Sequence, residues 1–427
     1  MNKQKGWVPE FKISRAVPFV VALAFVLRAV FGFSQFSKPL ETLDQDRYLP
    51  FAKNLWAGEG FTWNGRPTAY RPPLYPLILA PLVGVFGETG GFRISLVLMQ
   101  ASLGAATTWL AINIAGRIAT SSELARMSGL LAGFLTAADP VLLSQASLPM
   151  TETLAAFLLA VSLFFVVKDL SIPAGISFGL SALCRPSLMA CASLVVLGLI
   201  CFSYSNLRQG IKTASIMVVS LLVVILPWGI RNYFAIGWPV FTTTHGGYTF
   251  ALANNEIYYK EVLHGQPGAV WTGARQQDWF DSIGPSVKGM TEHEMDQSLK
   301  ARTWAFVRDH PRDFLLATFD RQLRLWSVSP SGQVYGRIIR YSSTAWTLPF
   351  WSLVFAGLLS KSCRTWPGAA CVAVIAGLAS VHLIYWTDIR MRAPIVPALA
   401  IVAGQSLTVL KIFGRLSHSA KNDVNNL

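Results

Sequence analysis

Two carboxylates, Asp44 and Asp46, stand two positions apart, with Arg47 and Tyr48 directly after them. Tyr70 and Arg71 follow at the head of the run Arg71-Pro72-Pro73-Leu74-Tyr75-Pro76. Acids beside a guanidinium can hold an anion such as a phosphate and a proton acceptor within one small volume, although locally the same residues read equally well as a solvated loop. Glu152 follows Met150 and Thr151, at the mouth of an apolar run. It reads either as a carboxylate facing a polar cavity or as an acid in the first turn of a helix started by Thr151. Arg28 and Arg185 fall in or beside apolar segments, and Arg231 stands where another leaves. Arginine stays protonated, so Arg28 and Arg185 each need an anion or a route to lipid headgroups. The outer arginines Arg185 and Arg231 could converge on a lipid phosphate, which a guanidinium grips with two hydrogen bonds. His245 opens His245-Gly246-Gly247-Tyr248, ahead of Asn254 and Asn255, in a pattern that suits a simple turn or a loop approaching a ligand. No GxGxxG, P-loop or HExxH motif occurs, and the five cysteines carry no metal-ligand spacing.

The elements that must position these residues are apolar. Of 427 residues, 52% are hydrophobic and only 14% charged, against about 25% charged in a soluble domain. That composition excludes disorder, a coiled coil and a small disulfide-stapled module. About ten runs approach the length a bilayer core requires: 16–34, 93–115, 125–143, 150–167, 172–187, 188–204, 214–230, 345–360, 368–386 and 393–411. The first is read as a retained helix rather than a cleaved signal. Lys3, Lys5, Lys12 and Arg15 precede it, and every second loop is short and basic, ending with Lys411, Arg415 and Lys421. By the positive-inside rule both termini are cytoplasmic. The outside then receives 35–92, a turn near 144–149, a long segment 231–344 and the turn 387–392.

Three regions are expected: an N-terminal transmembrane catalytic module over 1–230, a cap with interfacial helices over 231–344, and C-terminal spans with a short basic tail over 345–427. His310, Phe314, Leu315, Phe319, Leu323 and Trp326 recur near helical spacing with arginines between them, which suits a helix lying in the membrane interface. The formal net charge of +14 divides under this topology into fourteen basic against four acidic residues inside and twenty against sixteen outside. The excess therefore reports orientation, and a nucleic-acid partner is not expected.

The whole chain resembles the GT-C glycosyltransferases that use polyprenyl-phosphate-linked sugars, in the superfamily of bacterial lipid A aminoarabinose transferases and protein O-mannosyltransferases. The matching pieces are Asp44 four residues before Tyr48, the Ala52, Asn54, Leu55, Gly58 and Gly60 spacing, Tyr70 with the Arg71 run, and Met150-Thr151-Glu152. Gly179-Leu180 leading to Arg185-Pro186 and Pro227-Trp228 before Arg231-Asn232 follow in the same order. Later pieces are the His245 to Tyr248 run with Asn254 and Asn255, and Arg390-Met391-Arg392 opening the last span.

The resemblance implies an all-α integral membrane fold of about ten transmembrane helices with a small periplasmic cap, in a bacterial inner membrane. It implies a polyprenyl-phosphate-linked sugar donor, a glycan, lipid or protein acceptor, Asp44 as base, and Arg47 and Arg71 on the donor phosphate. Asp46 and Glu152 would support Asp44, and Tyr48, Tyr70, Arg185, Arg231, His245, Tyr248, Asn254, Asn255, Arg390 and Arg392 would line the substrate site. Some members hold a metal with a histidine and a carboxylate just before the basic-Pro-Pro triplet. Here that position is Tyr70, so no metal ligand set is assigned, although His245 leaves a divalent ion open. The alternatives are a lipid-pyrophosphate-dependent glycan ligase or polymerase and, outside enzymes, a lipid or glycan transporter.

Overall fold

A computed structural model describes residues 15–266, 268–271 and 274–411. Lys3, Lys5, Lys12, Arg415 and Lys421 lie outside the described residues. Helix α1 (Ala16–Ser34) leads into a loop-rich segment with α2 (Leu40–Leu43), α3 (Tyr48–Trp56), the antiparallel strands β1 (Thr62–Trp63) and β2 (Arg66–Pro67), and α4 (Leu74–Phe86). Then come α5 (Gly90–Ile118), α6 (Ser122–Ala138), α7 (Pro140–Ser144), α8 (Glu152–Val167), α9 (Ser171–Cys184), α10 (Leu188–Phe202) and α11 (Leu207–Ile236). A run of shorter or more polar helices follows: α12 (Gly246–Ala253), α13 (Glu256–Tyr258), α14 (Ala274–Val287), α15 (Glu292–Asp309) and α16 (Pro311–Leu325). The chain returns to apolar sequence in α17 (Arg337–Leu358), the short α18 (Lys361–Arg364), α19 (Ala369–Val381) and α20 (Val396–Gly404).

The fold is mostly helical, as expected, apart from the two-residue strands. Among the described residues five helical segments are long and apolar enough to cross a membrane: Ala16–Ser34, Gly90–Ile118, Ser122–Ser144, Leu207–Ile236 and Ile389–Lys411. Leu74–Phe86, Glu152–Val167, Ser171–Cys184, Leu188–Phe202 and Ala369–Val381 are shorter apolar helices. The chain is therefore a multi-pass membrane protein. Helices satisfy every backbone group internally, which a lipid solvent demands. Two differences from expectation stand out. Helix α4 lies inside the segment read as an outer loop, and α17 begins at Arg337, ahead of the expected start at 345.

Lipid tails give apolar side chains no reason to leave them, so helices associate through close backbone approach and polar contacts. Gly175 and Gly179, four apart on α9, meet α11 this way. A Cβ on Gly175 would lie 2.2 Å from the Met217 carbonyl, and one on Gly179 would lie 2.7 Å from Val224 Cβ.

Among the described residues Arg28 makes no ion pair with a carboxylate. It is buried, and its guanidinium donates to the carbonyls of Ala24 (3.2 Å), Thr136 (2.9 Å) and Ala137 (3.2 Å). Those last two carbonyls are orphaned by sequence. Pro140 has no N–H to give Thr136, and the Val141 N–H that would serve Ala137 is taken by Asp139 Oδ1 at 3.0 Å. Gly104 leaves the space, since a Cβ there would stand 2.0 Å from Arg28 Nε. Arg28→Leu therefore strands two buried carbonyls at about 1–3 kcal/mol each. A thermal-unfolding midpoint well below wild type in nanodiscs is the expected result, with Gly104→Val similarly affected and Arg28→Lys intermediate.

Candidate active site

The acidic and basic residues singled out above come from separate segments whose ends meet at one face of the bundle. Glu152 opens α8, Arg185 sits in the break between α9 and α10, and Arg390 belongs to a 3-10 turn over Ile389–Ile395 that opens α20. Above them lies the first loop, with Asp44 between α2 and α3.

Asp44 is buried, and its carboxylate caps α3, accepting the Tyr48 N–H at 2.8 Å and the Leu49 N–H at 3.0 Å. To fit this turn Arg47 adopts a left-handed backbone (φ 54°) and projects to the exposed rim. Burial raises the Asp44 pKa above its ordinary value of 3.8; the two N–H donors and Arg71 oppose that rise, and Asp46 adds to it. A carboxylate held this way is a better proton acceptor than one in water.

Arg71 reaches Asp46 at 3.9 Å and lies over the rings of Tyr48 (5.6 Å) and Tyr70 (5.3 Å). Burial pushes both phenols above their ordinary range, so Tyr48 and Tyr70 remain neutral donors. Deeper, Arg185 Nη1 lies 3.0 Å from Glu152 Oε1 and 3.3 Å from the Thr151 hydroxyl. Glu152 is fully buried, and apart from that ion pair its two oxygens have no hydrogen-bond partner among the described residues. Arg390 bridges inward and upward: its Nε is 3.5 Å from Asp388, and Nη1 donates to Gln45 Oε1 at 3.1 Å. The charges of Arg71, Asp46, Arg185 and Glu152 all bear on the buried Tyr48 phenol.

His245 packs edge-on against Tyr70 (4.4 Å between ring centres) and is stacked on Tyr248 (4.9 Å). Burial, with the Arg71 charge behind it, holds its pKa well below 6.5, so it stands as a neutral ring on the wall of the site.

Other expected site residues lie apart from this cluster. Arg231 donates to the carbonyls of Thr68 and Phe61, both at 2.7 Å, and to Asn232 at 2.9 Å; it holds the β1–β2 hairpin. Arg392 donates to the carbonyls of Leu325 (3.3 Å) and Ser327 (2.5 Å). Asn254 joins the carbonyls of Phe250 and Ile384, both at 2.9 Å, and Asn255 caps α13 through the Tyr258 N–H at 2.8 Å. In this structure these four side chains engage backbone groups.

Two acids were not singled out in the sequence. Asp388 is legible in retrospect, as an acid two residues before Arg390 in a short outer turn. Glu292 carried only the local signal of a helix start, yet it ties three segments, accepting from the Thr68 hydroxyl (2.5 Å), the Ala69 N–H (3.0 Å) and the Thr244 hydroxyl. With Arg231 it fixes the approach of Tyr70 and Arg71 to His245.

The donor set does not suit a metal ion. Among the described residues no group of three or more His, Cys, Asp or Glu side chains could hold one. The Asp44 oxygens are turned to backbone N–H groups, position 70 is a tyrosine, and His245 faces two tyrosine rings and a guanidinium.

No protein-family model and no curated protein matches the sequence. Solved structures do match. The chain superposes on the archaeal oligosaccharyltransferase AglB from Archaeoglobus fulgidus, determined with an inhibitory peptide and a dolichol-phosphate, with a TM-score of 0.54 at 13% identity, covering 96% of this chain and 52% of that one. The same enzyme tethered to an acceptor peptide gives 0.54 at 14% identity, over 98% and 52%. This chain has the GT-C glycosyltransferase fold. It spans about half the length of AglB. A lower-scoring match, with a TM-score of 0.41 at 14% identity over 92% and 78%, is ArnT from Cupriavidus metallidurans bound to undecaprenyl phosphate. Identity this low carries the GT-C fold and no residue roles.

Proposed function

We propose that this chain is an inverting membrane glycosyltransferase that moves a sugar from a polyprenyl-phosphate-linked donor to an acceptor hydroxyl. The observation that carries the reading is the meeting of a buried, capped Asp44 with Arg71, Arg185 and Arg390 at one end of a GT-C bundle. The bundle crosses the bilayer about ten times, with residues 1–230 as catalytic module, 231–344 as cap and 345–427 as closing spans. Basic short loops at the opposite end support a site on the periplasmic face of a bacterial inner membrane.

In the reaction the acceptor oxygen attacks the anomeric carbon from the face opposite the phosphate. Its proton passes to the Asp44 carboxylate, and the bond from the anomeric carbon to the phosphate oxygen breaks with its electron pair going to phosphate. A phosphodiester donor carries one negative charge and its phosphate monoester product up to two. Guanidiniums placed where that charge gathers lower the barrier. Phosphate is a competent leaving group, so no protonated acid is required, unlike in a glycosidase. Arg71 and the rim residue Arg47 take the phosphate, and Arg185 and Arg390 supply the deeper positive charge. Glu152 holds Arg185 in place through their 3.0 Å ion pair, and the Asp46 carboxylate orients the acceptor hydroxyl. His245, Tyr70 and Tyr248 form a neutral aromatic wall suited to a sugar face. No step passes through a metal.

A purified enzyme given matched monophosphate- and pyrophosphate-linked donors is expected to turn over the monophosphate; turnover of the pyrophosphate donor alone would move the chain to the ligase class. The pH profile follows from Asp44. Activity needs its ionised form, and its pKa is raised, so kcat/KM falls on the acid side at a pH above that of an ordinary aspartate. Asp44→Glu should shift that limb, whereas an acid limb unmoved by any substitution at 44 would assign it to another group.

A further inference from the structure

Helix α16 is inside out for a water-facing cap. Apart from the exposed Arg312, its polar side chains are partnered by protein groups or partly buried. Asp313 meets His264 at 2.9 Å, Asp320 holds Arg324 at 2.6 Å, and Gln322 donates to the Ala379 carbonyl at 3.1 Å. Arg321, fully buried, donates to the carbonyls of Ala253 and Leu383 and to Asn254. The outward face is Leu315 (68% exposed), Phe319 (65%) and Leu323 (57%), four residues apart, and no described residue covers it. Apolar residues at this spacing on a soluble surface expose a patch that water disfavours.

We propose that this face of α16 is buried in the outer lipid interface, with bilayer acyl chains as its occupant. Its depth argues for lipid over a protein partner. Ala379 lies within the apolar helix α19, and Arg392, at the start of the last span, donates to the Leu325 and Ser327 carbonyls at the end of α16. The helix is thus pinned across the outer ends of the spans, level with headgroups and the first methylenes. A further exposed apolar residue, Ile338 (82%), stands at the start of α17, the next helix in the chain. A helix that lies in the interface gains binding free energy from the apolar area it buries there. Through Arg321, α16 also anchors the Leu383 end of the loop that carries Asp388 and Arg390.

Nitroxide labels at Leu315→Cys, Phe319→Cys and Leu323→Cys, on a Cys201→Ser background because Cys201 is the exposed cysteine among those described, test this in phosphatidylglycerol-containing nanodiscs. Oxygen collisions exceeding those of a water-soluble nickel chelate at all three sites, with the reverse at Glu294→Cys, is the expected result. Nickel collisions dominating at the three sites as at 294 would overturn it. Should a labelled variant fail to fold, unmodified protein in nanodiscs doped with an acyl-chain diazirine lipid gives the same reading. Label on the 311–325 peptide supports the proposal, and label on 346–358 without 311–325 refutes it. Neither readout depends on transferase activity.

Discussion

Asp44→Asn abolishes nearly all sugar transfer, lowering kcat by about 10²- to 10⁴-fold, the usual contribution of a positioned general base. The reason is chemical first: a carboxamide cannot take the acceptor's proton. A smaller structural effect accompanies it. The wild-type carboxylate accepts both the Tyr48 and Leu49 N–H groups, and an amide that offers one oxygen and one NH₂ loses one of those bonds, at about 1 kcal/mol. Donor affinity should hardly change, because the phosphate contacts lie with the arginines. Transfer kinetics, donor binding by calorimetry and a melting curve separate the three effects. Near-wild-type kcat in Asp44→Asn would remove Asp44 from the chemistry.

Arg71→Ala lowers kcat by about 10²- to 10³-fold, comparable with removing one preorganised donor from a site of developing charge, and it weakens donor binding as well. Arg71 is singled out from the outer arginines by what surrounds it. Arg231 and Arg392 give their donors to backbone carbonyls, whereas Arg71 is held by two tyrosine faces and a 3.9 Å approach to Asp46. Tyrosine faces fix a cation without consuming its N–H groups. Arg71→Lys keeps the charge and loses the planar fork, so it should fall between wild type and Arg71→Ala. Arg231→Lys is the comparison: it loosens the hairpin and lowers thermal stability while leaving donor affinity within a few-fold. An equal loss of donor affinity in both variants would show that Arg71 acts only through folding.

The apolar helices were legible because a lipid solvent leaves a chain few options. A backbone that crosses a bilayer must close its own hydrogen bonds, as a helix does within one segment, and its surface must be apolar, so long apolar runs mark the spans. Helix α4 escaped because its apolar stretch is shorter than a bilayer core and sits among loop residues. At the site, Asp44, Asp46, Arg71, Glu152, Arg185 and Arg390 were legible as charges near places where charge is expensive, and the fold does bring them together. The placement of Arg28, Arg231, Arg392 and Asn254 was not. Their partners are backbone carbonyls left unpaired by helix ends and turns, and such partners carry no side-chain signature. Glu292 was hidden for a related reason: a Thr291-Glu292-His293-Glu294 run reads as a helix cap, which it is, and nothing local reveals that Glu292 reaches Thr68, Ala69 and Thr244.

In the proposed reaction this chain breaks the bond between a sugar and a polyprenyl phosphate. Purified protein in nanodiscs, given a donor doubly labelled in sugar and lipid together with extracted envelope glycans and lipids as acceptors, puts that step to its most direct measurement. Free polyprenyl phosphate is expected to appear in step with labelled sugar on acceptor, with the anomeric configuration inverted and both signals lost in Asp44→Asn. Donor bound or moved across the membrane intact, with no polyprenyl phosphate released, would contradict it.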